Sequence, residues 1–171
     1  MRGLKRSLPQ TPLRPEGIVV AADTTVADGN EILGKPGDVN EAIAMLKKLR
    51  GRSHQVFTAI AILPHGTTEP DVDLCMTEVP MRNYSDEEVF AYVATGDPFD
   101  KAGSYAIQHP RFKPVTTLTG CYANVVGLPL CHLSRTLEKA GVPPRVDVAR
   151  NCQKTLQYDC PIYQQVLAGR I

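Results

Sequence analysis

Residues 17–36 read GIVVAADTTVADGNEILGKP and combine a strand pattern with polar residues that a buried strand does not require. The apolar run at 17–26 predicts a buried strand, and the Asp-Gly that follows is typical of a hairpin turn. Asp23 lies beside the most apolar part of the run, and Lys35 lies in the Gly-Lys-Pro after the turn. Two interpretations are open at this point: a purely structural strand-end carboxylate, or a carboxylate presented for chemistry.

Length and composition indicate an ordinary globular protein. A chain of 171 residues suffices for one domain with a substantial core, or for one domain and an appendage. With 43% apolar residues, 22% charged residues and a net charge of +1, no bulk field would draw the protein to nucleic acid or to a membrane surface. Any anion site must therefore be built locally, and we expect neither a nucleic acid partner nor a membrane partner.

The start of the sequence and its apolar runs predict neither a membrane span nor a signal peptide. The longest apolar run, Ile18 to Ala22, is far too short to span a bilayer. The first ten residues, MRGLKRSLPQ, are basic but lack the apolar core of a signal peptide. A cytoplasmic location is therefore expected.

The cysteines are odd in number and contain no C-x-x-C pair, which argues against a disulfide framework and an ordinary structural zinc site. Cys131 and His132 are adjacent in a predicted helix, where neighbouring side chains point in different directions and do not readily share a metal. We expect reduced, mostly buried thiols. The five are Cys75, Cys121, Cys131, Cys152 and Cys160.

Two segments have the pattern of a capped helix. In each, an Asp or Ser caps the start, a Glu three residues later completes a capping box, and a Gly ends the helix. These segments are residues 38–51 and 85–96.

Strand patterns separate and follow these helices. HQVFTAIAILP at 54–64 is apolar on both faces, as a central strand should be. A further strand is predicted near 72–82, where Pro80 suggests an edge or an end. A short strand is predicted at 105–108, and PVTTLTGCYANVVG at 114–127 has β-branched strand character.

The remaining residues predict a helix and an appended segment. LPLCHLSRTLEKAG predicts a short amphipathic helix with Leu130, Leu133 and Leu137 on one face. The composition changes after Gly141, and residues 142–171 indicate a Pro-stiffened linker leading to a small helix or hairpin.

Four polar residues at strand-to-loop junctions suggest phosphoryl chemistry. Asp23 supplies a carboxylate, Lys35 and Lys101 supply cations, and Gln108 supplies a neutral amide with a donor and an acceptor. A metal or water carboxylate, cations for developing phosphate charge, and an amide that reads a base edge are what a nucleotide substrate requires. Taken singly, each residue is a weak signal, because a lone lysine in a loop is usually just a solvated side chain.

Several motifs, in order along the chain, resemble the Maf proteins, which are named for inhibition of septum formation. The resemblance extends from about Gly17 to Gly141, and it rests on ADTTV…EILGKP, LRGRSHQVFTAIAI, SDEEVFAYVATGDPFDKAGSYAIQ and NVVGLPL. It implies an α/β fold of the Maf/ITPase-like type, with a mixed elongated sheet flanked by helices and a nucleotide-binding cleft. Residues 1–16 would then be a lead-in, residues 17–141 the Maf-like domain, and residues 142–171 a C-terminal extension.

The resemblance also implies an activity and roles for five residues. Maf proteins are cytoplasmic nucleoside triphosphate pyrophosphatases that use a divalent cation, Mg²⁺ or Mn²⁺, and release a nucleoside monophosphate and pyrophosphate. Asp23 matches the family's catalytic proton acceptor, which activates water, and it would also bind the metal. Lys35 and Lys101 match the cleft lysines. Thr24 and Gln108 match the positions that mark the dTTP/UTP-preferring subgroup, and the 7-methyl-GTP subgroup carries different residues at both.

Two features depart from the family pattern. The family opens with a strand, a Ser-x-Ser-Pro-Arg-Arg loop and a helix Lys, whereas this chain opens with MRGLKRSLPQTPLRPEG. Because arginine forks stabilise phosphate oxygens better than lysines alone, we expect weak nucleotide binding and slow hydrolysis, with the loop encoded upstream of Met1. The Gly usual after Ile-Gln is His109, which is expected to alter the loop backbone. In the extension, Cys152 and Cys160 could pair or bind metal, although packing on the core is the interpretation we favour.

The residues and the resemblance leave three functions open. The first is an active pyrophosphatase for pyrimidine nucleoside triphosphates. The second is a non-catalytic regulator of septum formation and cell division that acts through nucleotide or partner binding, which the near-neutral charge does not favour. The third is a folded but catalytically impaired fragment. An exposed sheet edge left by a missing strand would also favour a homodimer.

Overall fold

The computed structural model describes residues 17–171. The predictions for the lead-in at 1–16 and for the family's arginine loop therefore lie outside the described residues. No helix within 17–171 is both long enough and apolar enough to cross a bilayer.

A four-stranded sheet of order β2-β1-β3-β4 organises these residues. All three strand pairings described are antiparallel, whereas the family resemblance implied a mixed sheet. The hairpin predicted by Asp-Gly is present, because Asp28 pairs with Glu31 across a two-residue turn. The strands are β1 (Val19–Asp28), β2 (Glu31–Leu33), β3 (Ser53–Leu63) and β4 (Asp71–Pro80).

Helices complete the α/β class that the sequence predicts. The main core lies between one face of the sheet, the helices α1 and α2, and the buried residues of segment 105–112. Two smaller apolar clusters join the remaining helices to the sheet and to one another. The helices are α1 (Val39–Leu49), α2 (Asp86–Val93), α3 (Tyr122–Val126), α4 (Leu130–Lys139), α5 (Val148–Leu156) and α6 (Tyr163–Leu167), with 3₁₀ turns at Asp97–Asp100 and Ala102–Ser104.

Both capped helices begin where the sequence predicts. At α2 the box is complete: the Ser85 hydroxyl accepts from the Glu88 N–H, and the Glu88 carboxylate accepts from the Ser85 N–H. At α1 the Asp38 carboxylate caps the Glu41 N–H at 2.8 Å. The Glu41 carboxylate, however, accepts from the Gly37 N–H at 2.7 Å, one residue before the expected partner.

Two predicted strands are wrong. Residues 105–108 form an irregular segment and a turn, and the second half of 114–127 forms the helix α3. Tertiary hydrogen bonds hold α3 to the sheet, because the buried Asn124 amide donates to the Val56 carbonyl at 3.0 Å and to the Thr77 hydroxyl at 2.9 Å. These contacts override the β-branched local preference, as side-chain packing commonly does.

The prediction that residues 54–64 form a central strand is confirmed by β3, although only one face of the strand is buried in the described structure. Its side chains alternate between buried and more exposed positions, so one face carries the core. Ala59 on the opposite face is exposed and pairs with the exposed Leu74 of β4. The strand is central in the sheet, but the described helices cover only one of its faces.

The helix α4 is present, but its buried face differs from the prediction. The three leucines are only partly buried, while four small or polar side chains are buried instead. The reason is that α4 lies between the sheet and the helices α5 and α6, so small side chains are needed where the elements approach closely. The buried residues are Cys131, His132, Ser134 and Thr136.

The extension folds as two helices, and the cysteines gather beside it. All five cysteines are free thiols, and Cys75 and Cys121 are buried together in one apolar cluster. The neighbouring Cys121 thiol, and then burial, raise the pKa of Cys160 well above its usual range. Cys152 and Ile162 pack against this cluster, as expected for an extension that packs on the core.

Candidate active site

One cleft of about 290 Å³ beside the β1 edge contains all five residues that the resemblance singled out. They come from three separate segments: the strand β1, the loop after β2, and the loop that follows α2. The structure therefore brings these five side chains together, and their roles stay a prediction. The five are Asp23, Thr24, Lys35, Lys101 and Gln108.

Asp23 and Thr24 are consecutive in β1, so their side chains leave opposite faces of the sheet. Asp23 pairs in register with Ala59, and its side chain is exposed. Thr24 pairs with Thr58, and their hydroxyl oxygens are 2.8 Å apart. Both residues line the cleft because the pairing of β1 with β2 begins only at Val26, which leaves this stretch of the β1 edge without a partner among the described strands.

A backbone hydrogen bond joins the two lysine-bearing loops. The Gly103 N–H donates to the Gly34 carbonyl at 3.0 Å, next to Lys35 in one loop and near Lys101 in the other. Gly103 has a φ of +70°, and a Cβ there would lie 3.0 Å from Cγ1 of Val26. Glycine at this position therefore permits both the left-handed backbone and the close approach to β1.

Lys101 is held by two carboxylates. Its Nζ lies 2.6 Å from Asp100 Oδ1 and 3.2 Å from Asp97 Oδ1, and it also donates to the Asp97 carbonyl at 3.2 Å. Partial burial lowers the pKa of Lys101, but the hydrogen bonds to Asp100 and Asp97 outweigh that effect and raise it above its usual value. Lys101 is thus a charged and oriented cation in the cleft.

Two cleft residues were missed by the sequence analysis. Asp100 lines the cleft, and its hydrogen bond from Lys101 lowers the pKa of its carboxyl, with smaller contributions from the charges of Lys101 and Lys35. Its position beside Lys101 in Asp-Lys-Ala-Gly was a usable signal. Tyr105 is buried, and its hydroxyl lies 2.8 Å from Nε2 of His54. No local pattern could have revealed a contact between residues 51 positions apart.

Gln108 lies exposed in the turn that ends the cleft wall, and the adjacent His109 stabilises that turn. The His109 Nδ1 accepts from the Phe112 N–H at 2.9 Å, and the imidazole ring packs edge-on against Tyr92. His109 is not among the non-glycine residues with positive φ in the described chain. The replacement of the usual Gly therefore leaves no left-handed backbone strain at this position.

A larger cavity of about 640 Å³ lies between α3 and α5 and shares Val126 and Gly127 with the cleft. Its lining residues are mostly apolar and include no Asp, Glu, Lys or Arg. A triphosphate requires compensating charge, so the smaller cleft, with its two lysines and two aspartates, is the candidate active site.

The cleft carries two carboxylates, which are potential metal ligands. Within residues 17–171 no group of three or more His, Cys, Asp and Glu side chains is placed to hold a metal ion. Asp23 and Asp100 both line the cleft, however, and Mg²⁺ commonly binds through one or two carboxylates together with substrate phosphates and water. The donor set fits a cation that arrives with a nucleotide.

Comparison with known proteins identifies the family of this chain. A family model described as Maf-like protein matches residues 4–140. The dTTP/UTP pyrophosphatase of Thermomicrobium roseum is 48% identical over 157 residues, which cover 92% of this chain and 71% of the relative. Proteins of the same name from Desulforamulus reducens and Nitrosomonas europaea are 41% and 43% identical, over 76% and 83% of this chain and 68% and 65% of their own lengths.

The sheet, its covering helices and the charged cleft at the β1 edge define an α/β protein with a polar site at a sheet edge. Because the family model covers more than half of the sequence, the chain belongs to the Maf family. It spans about two thirds of the length of several curated relatives that it matches.

Proposed function

We propose that the protein is a nucleoside triphosphate pyrophosphatase that acts on dTTP and UTP and cleaves between the α- and β-phosphates. The observation that carries this proposal is the convergence of five residues, from three separate segments, in one charged cleft. The names of the relatives agree with it and do not favour the alternative of a non-catalytic regulator of septum formation.

In this proposal Asp23 is the general base. Its exposed carboxylate, at the unpaired stretch of β1, would accept a proton from the water that attacks the α-phosphorus. The bond from the α-phosphorus to the bridging oxygen breaks, and pyrophosphate leaves. A divalent cation, Mg²⁺ or Mn²⁺, bound by Asp23 and the phosphates would neutralise charge and lower the pKa of water.

The lysines would bind the triphosphate. Lys101 is already charged and oriented by Asp97 and Asp100, whereas Lys35 is exposed on the neighbouring loop. Cations fixed in place before the reaction stabilise developing phosphate charge without reorganisation in the transition state.

Gln108 and Thr24 would select the base. The Gln108 amide has one donor and one acceptor group for the O4/N3 edge of thymine or uracil. The Thr24 hydroxyl is already shared with Thr58 and lies 3.5 Å from the Gly127 carbonyl, so its contribution to selectivity would come through shaping the cleft wall.

We also propose that the protein is cytoplasmic and that it forms a homodimer. β4 is an edge strand of the described sheet, and its side chains Val72, Leu74 and Met76 are exposed, which favours pairing with a second copy. Sedimentation of the purified protein would measure the mass in solution, and a monomer at all concentrations would contradict the dimer.

Pyrophosphate release from dTTP, UTP, dGTP and 7-methyl-GTP, with Mg²⁺, Mn²⁺ or a chelator, tests the activity. We expect turnover of dTTP and UTP that requires the cation. A matched comparison is Asp23→Asn against Asp71→Asn, since Asp71 is an exposed strand carboxylate outside the cleft. Equal activity in the two variants would remove Asp23 from the mechanism, and nucleotide binding without turnover would favour a folded but catalytically impaired fragment.

A further inference from the structure

The hydroxyl of Tyr92 joins two segments of the cleft wall. It donates to Asp97 Oδ2 at 2.5 Å and accepts from the Ala106 N–H at 3.0 Å. Tyr92 itself lies on α2 and does not line the cleft. One buried group thus connects the 3₁₀ turn at Asp97–Asp100 to the irregular segment that carries Gln108.

The first branch of this connection leads to Lys101. Asp97 uses one carboxylate oxygen for Tyr92 and the other, at 3.2 Å, for the Lys101 ammonium. Because Tyr92 occupies Oδ2, the carboxylate is held in a fixed orientation, and Oδ1 faces Lys101. The Asp97 backbone carbonyl accepts from the same ammonium, so Asp97 contacts Lys101 through two different groups.

The second branch leads to Gln108. Ala106 lines the cleft and lies two residues before Gln108. This segment is neither helix nor strand, so it has no regular backbone ladder to position it. The bond from its N–H to Tyr92 therefore supplies a contact that secondary structure supplies elsewhere.

The Tyr92 ring is rigidly placed. It is 2% exposed and stacks on Phe112 with centroids 4.2 Å apart and planes 9° from parallel. Burial, then the hydrogen bond to Asp97, raises the pKa of Tyr92 above its usual range. The hydroxyl therefore keeps the proton that it donates to Asp97.

We propose that Tyr92 and Asp97 are positioning residues that hold the phosphate-binding Lys101 and the base-reading Gln108 at a set separation, so that one nucleotide can contact both. This inference rests on the proposed function for the identity of the ligand. A base and a triphosphate are joined through a ribose, and a fixed separation between their two contacts selects one binding geometry.

Tyr92→Phe tests the connection, since it removes the hydroxyl and keeps the stacked ring. We expect kcat/KM for dTTP and UTP to fall about 10- to 100-fold, with reduced preference over dGTP, because both contacts shift. Amide exchange at Ala106 should accelerate. The matched control is Tyr84→Phe: Tyr84 is also buried, also packs on Phe112, and donates to the Leu46 carbonyl at 2.7 Å away from the cleft. It should leave kcat/KM and Ala106 exchange unchanged.

Asp97→Asn separates the two branches. The amide cannot form the ion pair with Lys101, while the Ala106 bond to Tyr92 remains. We expect kcat to fall for all nucleotides with the base preference retained, and the Lys101 side-chain NMR signals to shift. A loss of base preference as large as that of Tyr92→Phe would contradict the two-branch arrangement.

Failure of the inference and failure of the proposed function give different results. If the unsubstituted protein releases no pyrophosphate from any nucleotide, the proposed function fails. The inference is then still decided by amide exchange at Ala106 in Tyr92→Phe and by the Lys101 side-chain NMR signals in Asp97→Asn. Unchanged Ala106 exchange in Tyr92→Phe, or equal effects of Tyr92→Phe and Tyr84→Phe on kcat/KM, would overturn it.

Discussion

The two walls of the cleft are built differently. Asp23 and Thr24 belong to a regular strand, and their directions follow from pairing with Ala59 and Thr58. Lys101 and Gln108 belong to irregular backbone, and their segment is positioned by side chains of distant elements such as Tyr92 and His54. We call the side of the cleft formed by Asp23 and Thr24 the strand wall, and the side formed by Lys101 and Gln108 the loop wall. A repeating backbone pattern positions the strand wall, whereas a few individual side-chain contacts position the loop wall.

This difference has consequences for substitution. A change in the strand wall should alter the chemistry of the substituted group and little else, because the β-ladder persists. A change that releases the loop wall should alter several site residues together. Substitutions in each wall can show whether an effect stays with the substituted side chain or spreads to several site residues.

The largest effect is expected for Asp23→Asn, which changes the strand wall without altering its shape. Turnover should fall about 100- to 10,000-fold because the amide cannot accept a proton and binds a cation poorly. Steady-state pyrophosphate release measures the loss, and thermal unfolding should show an intact fold. Near-normal turnover would leave Asp23 with a structural role at the strand.

The free energy of unfolding is expected to depend on pH through His54, which lies where the loop wall meets the sheet. Burial lowers the pKa of His54 to about 4 and outweighs the opposing effect of the Asp28 charge. The unfolded chain then binds more protons than the folded one between about pH 4 and the ordinary value near 6.5, so stability should fall as the pH falls through this window.

The slope attributable to His54 is at most about 1.4 kcal/mol per pH unit in the free energy of unfolding. Denaturant unfolding at several pH values measures it. His132 has a lowered pKa of the same sign, mainly through burial, so the comparison is with His54→Gln. In His54→Gln the free energy of unfolding should change less steeply with pH. An identical slope in the variant and the unsubstituted protein would show that His54 does not cause the pH dependence.

Gln108→Glu tests the end of the loop wall. If the amide reads the pyrimidine edge, the carboxylate should cost about 1–3 kcal/mol of binding to dTTP and UTP in the transition state. Competition between dTTP and dGTP measures this preference. An equal loss for purine and pyrimidine nucleotides would show that Gln108 holds the turn instead.

The smallest effect is expected for Thr24→Val in the strand wall. The hydroxyl shared with Thr58 is lost, but Thr58 retains its contact with the Asn124 carbonyl at 3.3 Å. The free energy of unfolding should fall by about 1 kcal/mol. Denaturant titration measures it, and Thr67→Val, at an exposed turn outside the cleft, is the control. A large loss of pyrimidine preference without destabilisation would give Thr24 a direct contact with the base.

Local signals predicted the capped starts of α1 and α2 correctly, because a cap is made by residues three positions apart. They failed at 105–108 and at 114–127. Nothing in either segment encodes its hydrogen bonds to Tyr92 or to Val56 and Thr77, which lie far away along the chain. The buried face of α4 was likewise not predictable from local sequence, because it depends on contacts with the sheet and with the helices α5 and α6.

The sequence by itself determined the α/β alternation, the hairpin after β1, and the residue types of the cleft, because short-range periodicity and motif identity carry these features. The tertiary structure alone decided that Lys101 is paired with Asp97 and Asp100, and that Tyr92 connects its loop to the segment before Gln108. Hydrogen bonds and ion pairs of this kind depend on distances of a few ångströms between residues that only folding brings together.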